Sequence, residues 1–151
     1  MPKLKVIFRN VVIVGVVSFV LHFIWEISQC SIFYNMTVDF SNPLMWSATF
    51  GDMNMAIVLY IILVFVNKDS NWIMVPFTRI NMTISILYAL FLSFYFEITA
   101  LTTDRWGYSD AMPLIPNTNI GAVPVIQLLI LFPVAFHITS LIIKKQNKQV
   151  N

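Results

Sequence analysis

Charge is scarce: only 11% of the 151 residues are Asp, Glu, Lys or Arg, less than half of the about 25% usual in soluble domains. With 58% hydrophobic residues and a mean hydropathy of +0.79, the chain excludes a water-solvated core and calls for the bilayer as solvent. Cysteine is almost absent. The single Cys30 excludes an intramolecular disulfide and a cysteine metal cage. There is no internal repeat, no low-complexity tract and no nucleic-acid signature. Ten-residue alternations of the β-barrel kind are also missing.

What is present is four long apolar runs. A spanning helix needs about 20 such residues, and Val6 to Ile27, Leu44 to Val66, Asn81 to Leu101 and Ile120 to Ile143 qualify. They predict an all-α, polytopic membrane protein, a four-transmembrane-helix bundle, with residues 1–151 forming a single membrane domain and nothing left over for a soluble one. Ile27-Ser28-Gln29-Cys30 offers no small-x-small cleavage site, so the first run reads as a retained helix rather than a signal peptide.

Basic residues orient the runs. Lys3, Lys5 and Arg9 open the chain, Lys68 and Arg79 flank the second connection, Lys144, Lys145 and Lys148 follow the fourth run, and Arg105 alone falls on the other side. The positive-inside rule then puts both termini in the cytoplasm and the connections 28–43 and 102–119 outside. Trp25, Trp46 and Trp106 fall at the outer boundaries and Trp72 at the inner one, as an aromatic belt requires. For Trp46 and Trp72, simple anchoring is the expectation.

Acidic residues are distributed in the opposite sense. Glu26, Asp39, Asp52, Glu97, Asp104 and Asp110 all lie toward the outside, although acids contribute little to topology. His22, Glu26 and Gln29 follow each other at spacings of four and three, which puts them on one helix face with Trp25 alongside. The second run carries Gly51-Asp52-Met53-Asn54, the third Glu97, and the fourth Asn119, Gly121, Pro124 and Gln127 in its outer half. A carboxylate in hydrocarbon costs roughly 2.5 to 3.5 kcal/mol on insertion scales, so it faces the bundle interior and a partner. His22 and Arg105 are too few to balance Glu26, Asp52 and Glu97, so these acids hold either a proton or a cation. The plainer alternative puts Glu26 and Glu97 among headgroups and Asp52 at the cap of a helix starting at Met53. His137, near the inner end of the fourth run, reads as a packed or interfacial residue outside the site.

The connection from Asp104 to Asn117 combines Arg105, Trp106, Tyr108, Pro113 and Pro116. Two prolines restrict its backbone, and the rings can lie on the bundle with their polar atoms wet. It reads as a lid, with Arg105 in reach of Glu97 or of an anionic ligand group; an interfacial re-entrant loop is the alternative.

His22-x-x-Trp25-Glu26-x-x-Gln29, Gly51-Asp52, Glu97, Arg105-Trp106-x-Tyr108-x-x-x-Met112-Pro113 and Gly121-x-x-Pro124-x-x-Gln127 together resemble a group of small prokaryotic four-helix membrane proteins that brings no known activity. The resemblance implies a prokaryotic cytoplasmic membrane. More weakly, Glu97, Trp106-x-Tyr108 and Gly121-x-x-Pro124 look like the helix-end pattern of lycopene-cyclase-type membrane proteins. Those carry an acidic pair after the proline, where this chain has Ile126-Gln127.

Several functions follow from such a cluster. One is an intramembrane acid–base enzyme on an apolar lipid or isoprenoid, with Glu97 or Glu26 as proton donor, Asp52 or His22 as its partner, and Trp25, Trp106 and Tyr108 offering ring faces to a carbocation. Gln29, Asn54, Arg105 and Gln127 would complete the binding surface. A second is a proton- or cation-coupled transporter or channel subunit working as a homo-oligomer. A metal site on His22, Glu26, Asp52 and Glu97 is weakened by its single histidine, and no cofactor is implied. The last is a structural or accessory subunit. The expected partners are the bilayer, an apolar lipid substrate and further copies of the chain, with no nucleic acid.

Overall fold

The computed structural model describes residues 2–150, with side chains from Leu4 to Gln149; the side chain of Lys3, counted above among the inner charges, lies outside the described residues. Four helices, α1 (Pro2–Phe33), α2 (Pro43–Asn67), α3 (Arg79–Thr102) and α4 (Ala122–Val150), are each long and apolar enough to cross a membrane. The chain is an all-helical integral membrane protein. Among the described residues the only β pairing is two isolated bridges, Tyr34 with Tyr108 and Leu114 with Gly121.

Apolar residues face outward and many polar ones inward. Leu4, Phe8, Val12, Val16, Val20 and Ile24, spaced by four along α1, are all exposed, as the helix period places them on one stripe. Asn10, Ser18, His22, Thr49, Asn81, Ser85, Ser93, Glu97 and Gln127 are buried. Water would penalise that distribution and hydrocarbon favours it. The buried face of α3 is Asn81, Ser85, Ala89, Ser93, Glu97 and Ala100, a row of small and polar groups that lets the backbone of α4 approach closely.

α1 packs on α2 and on α4, and α4 packs on α3, whereas α2 and α3 meet only sparsely. The bundle is therefore closed on three sides and parted on the fourth. Two bonds pin the fourth side toward the end that holds the chain termini: Asn67 Nδ2 donates to Asn81 Oδ1 at 2.9 Å, and the Tyr88 hydroxyl donates to the carbonyl of Met55 at 3.1 Å. Beyond Tyr88, toward the opposite end, the helices part.

The terminal half is solidly filled. Leu59, Tyr60, Leu63, Trp72, Phe132, Phe136 and Ile143 are all buried at 2% exposure or less. Trp72 sits on a single 3₁₀ turn, Trp72–Met74, in the α2–α3 connection. Its indole donates to the carbonyl of Tyr60 at 3.3 Å and meets Phe136 edge-on. The expectation of an interfacial anchor at Trp72 is thus corrected: the turn folds the ring back into the bundle as core. Asn10 lies beside it, donating to the Tyr60 hydroxyl and the Ser70 carbonyl at 3.0 Å each.

Helix boundaries differ from expectation in one consequential place. α1 continues to Phe33 instead of stopping at Ile27, because Gln29 and Cys30, polar or small, are buried against the bundle and a buried face supports a helix whatever its hydropathy. Glu26 consequently lies two turns inside the end of α1. α2 begins at Pro43, capped by Asn42, whose Oδ1 accepts from Leu44 N at 2.9 Å. Asp52 is nine residues further on, roughly 13 Å along the axis at 1.5 Å per residue, so it is not a helix cap. α4 starts at Ala122, since Ile120 is drawn into a hairpin in which Ile115 N donates to its carbonyl at 2.9 Å.

Candidate functional site

Three helices bring their polar residues to one amide nitrogen. Gln127 of α4, 3% exposed, places Nε2 at 2.8 Å from Asp52 Oδ2, 3.1 Å from Glu26 Oε1 and 3.0 Å from His22 Nδ1. His22 Nδ1 also lies 3.0 Å from Asp52 Oδ2. An amide carries two protons, and carboxylates only accept, so those protons go to Glu26 and Asp52. His22 Nδ1 is then left to donate to Asp52 Oδ2. On the far side of that ring Nε2 has no hydrogen-bond partner among the described residues, and neither does Ser18 Oγ one turn earlier.

The two acids differ in what they leave free. Glu26 accepts at both oxygens, its Oε2 taking Gln29 Nε2 at 3.2 Å. Among the described residues Asp52 accepts only at Oδ2, and its side chain keeps 15% of its surface accessible. Its Oδ1 is the open carboxylate oxygen of the pair. Glu97, 5% exposed on α3, receives the Tyr108 hydroxyl and, at 3.4 Å, the indole N–H of Trp106, both on Oε2.

The lid is built on that last contact. The Tyr108 hydroxyl, besides donating to Glu97, accepts from Gly121 N at 3.0 Å, where the absence of a side chain matters. A Cβ on Gly121 would stand 2.7 Å from Met112 Sδ, so Met112 packs on bare backbone. Tyr34, Met112 and Val123 form a small buried cluster with Trp25, Trp106 and Tyr108 around it. Ser109 ties the lid to α1, donating from its N to the Phe33 carbonyl at 3.0 Å and from its hydroxyl to the Ile32 carbonyl at 2.6 Å. Burial pushes the phenols of Tyr34 and Tyr108 well above their ordinary value, and the carboxylate of Glu97 adds to both shifts.

Between the lid and Tyr88 lies a cavity of about 440 Å³, within the 300 to 1,000 Å³ span of small-molecule sites. Glu26, Asp52, Glu97 and Gln127 line its polar end. Asn54 and Arg105 line its exposed margin. Trp106 contributes to the wall, whereas His22, Gln29, Trp25 and Tyr108 stand behind it and support the groups that face it. Trp25 is packed into the lid cluster, so its ring does not face the cavity as expected. Arg105 is also placed differently: its guanidinium stacks over Trp106 at 5.3 Å, and Glu97 is satisfied by two neutral donors instead.

Sequence reasoning missed Cys30, Tyr34, Met36 and Tyr88, all of which line the cavity. Apolar and aromatic residues on a membrane helix carry no mark that tells a cavity wall from a lipid-facing surface. Two of the outer acids belong to turns rather than to the site. Asp39 accepts from Ser41 N and Oγ, which holds its carboxyl below the usual range. Asp104 takes the left-handed conformation (φ 51°) just after α3, with Arg105 N donating back to the Ala100 carbonyl at 3.0 Å, a common helix stop. His137 is exposed, away from the site.

Among the described residues no three of His, Cys, Asp and Glu converge as metal ligands; the Gln127 amide stands among His22, Glu26 and Asp52. Comparison with protein-family models, with curated proteins and with solved structures gave no match.

Proposed function

We propose that the chain is an intramembrane acid–base enzyme acting on an apolar lipid or isoprenoid, oriented with its termini in the cytoplasm and its lid outside. The observation that carries this reading is the open Oδ1 of Asp52 at the polar end of a largely apolar cavity, with His22, Gln127 and Glu26 fixed behind it. In the proposed step a protonated Asp52 gives its proton to one carbon of an alkene. The cation that forms lies against the rings of Trp106 and Tyr34, whose faces attract positive charge. A neighbouring carbon then loses a proton to Asp52 or Glu97 and a double bond re-forms. Substrate and product are isomers, and no oxidant, reductant or co-reactant is consumed. Glu26, bonded to the same amide nitrogen as Asp52, holds Gln127 in place, and His22 bonds Asp52 Oδ2, which leaves Oδ1 free to carry the proton.

A transporter needs a path to the other face, and the packed half around Leu63, Trp72, Phe136 and Ile143 counts against one within a single copy. The test compares lipid extracts of a host expressing the wild type, Asp52→Asn and Glu26→Gln. The proposal expects an isomerised lipid species that both variants abolish while remaining folded. Equal lipid profiles in all three would refute it.

A further inference from the structure

The opening of the cavity has a direction. Of the residues that line it, those of α1 and α4 are buried or half-buried, whereas Ser47, Asn54 and Val58 of α2, Phe96 of α3 and Arg105 just beyond α3 are exposed. The mouth is therefore the parted seam between α2 and α3. On α2 it is edged by Ser47, Gly51, Asn54 and Val58, spaced by four, three and four; on α3 by Tyr88, Leu92 and Phe96, spaced by four, so each set lies on one helix face. Tyr88 closes the seam below through its bond to Met55, and Tyr34 and Trp106 cover the cavity from the lid end. Within spanning helices such an exposed seam faces hydrocarbon. Gly51 stands at its centre, and a Cβ there would meet nothing within 4 Å.

We infer that the cavity is filled sideways from the bilayer, through the seam between α2 and α3, by an amphiphile with a single hydrocarbon chain and an uncharged polar end, and that Gly51 sets the width of the opening. This rests on the lipid-directed reading of the site given above. Two features define the ligand class. The volume, at the lower end of the usual range, fits one chain and not the pair of a diacyl lipid. Glu26, Asp52 and Glu97 at the closed end disfavour an anionic head, and each already has neutral donors bonded to it. A long-chain alcohol with a double bond near its hydroxyl end satisfies both conditions. Its chain lies along the apolar walls and its end reaches Asp52.

The full chain is reconstituted in phosphatidylcholine nanodiscs and irradiated with a diazirine-bearing long-chain alcohol, and the adducts are mapped by peptide mass spectrometry. Adducts are expected on Met55, Val58, Leu92 and Phe96, displaced by unlabelled alcohol. Gly51→Phe lowers them about tenfold or more, the effect of denying a hydrophobic pocket to its ligand. Val20→Phe, at an exposed α1 position away from the cavity, leaves them unchanged. Asn54→Trp, at the exposed edge of the mouth, gives a second blocking variant should Gly51→Phe fail to fold. Adducts spread evenly over lipid-facing residues such as Phe8, Phe65 and Phe91, or blocking variants without effect, overturn the inference. So does stronger labelling by the matching fatty acid or alkylammonium probe. Wild-type labelling in the seam without any isomerised lipid leaves the route standing and removes the chemistry, whereas isomerised lipid without labelling in the seam removes the route alone.

Discussion

Replacing Gln127 by Leu removes the one side chain that bonds to two acids at once. Two N–H donors are lost, to Asp52 at 2.8 Å and to Glu26 at 3.1 Å, while side-chain volume changes little. A hydrogen bond to a charged group is worth roughly 1.5 to 3 kcal/mol, which sets an upper range of roughly 3 to 6 kcal/mol for the pair. Polar pairs measured inside membrane bundles average only about 0.6 kcal/mol, because the unfolded helices find other partners in the membrane, and the accessible Asp52 regains some solvation from the cavity. The expected loss is therefore about 2 to 3 kcal/mol. It is read from equilibrium unfolding in detergent, alone and in a cycle with Asp52→Asn and Glu26→Gln. The two acids and the amide share one network, so the effects should be strongly non-additive. A change under about 0.5 kcal/mol, the ordinary effect of a surface substitution, or strict additivity in the cycle would refute the central position of Gln127.

Other consequences concern the lid and the packed half. Gly121→Ala should cost about 1 to 3 kcal/mol through overpacking against Met112, and Met112→Ala in the same chain should restore part of it; thermal unfolding of the three variants checks this. Trp72→Ala should lose about 3 to 5 kcal/mol, as for a core ring, where an interfacial anchor would lose far less. At the lid, Tyr34 and Tyr108 should resist ionisation past the ordinary phenol value of about 10. Their folded values are raised, so the stability they confer is intact below that pH and is lost only as pH climbs toward the raised values. Spectrophotometric titration of wild type, Tyr34→Phe and Tyr108→Phe distinguishes them, and a normal titration of both would contradict their burial.

How much of this was legible depends on the kind of signal. Helix number and the His22, Glu26, Gln29 face could be read directly, because run length and helical spacing are strong local patterns. That Asp52, Glu26 and Gln127 meet was suggested by their similar depth along three runs, but which atom bridges them depends on helix rotation, which spacing does not encode. The end of α1 differs from expectation because Glu26, Ser28 and Gln29 lower the hydropathy, yet Gln29 is buried with Cys30 on the bundle side. Arg105 was expected on Glu97 by charge alone. The lid turns the Tyr108 phenol and the Trp106 indole onto that carboxylate instead, and the guanidinium stays outside on the Trp106 ring. Hydropathy alone reads Trp72 as a belt residue, because a 3₁₀ turn that folds a loop inward leaves no trace in it. The seam between α2 and α3 was invisible for the same reason as its lining aromatics, since absence of contact between two apolar helices has no sequence pattern.

Asp52 as a proton donor to carbon is tested most directly by isotope. Protein reconstituted with host lipid extract in D₂O should place non-exchangeable deuterium on a lipid carbon, with the incorporation abolished by Asp52→Asn. Deuterium absent from every lipid carbon, or incorporated equally by wild type and Asp52→Asn, would contradict it.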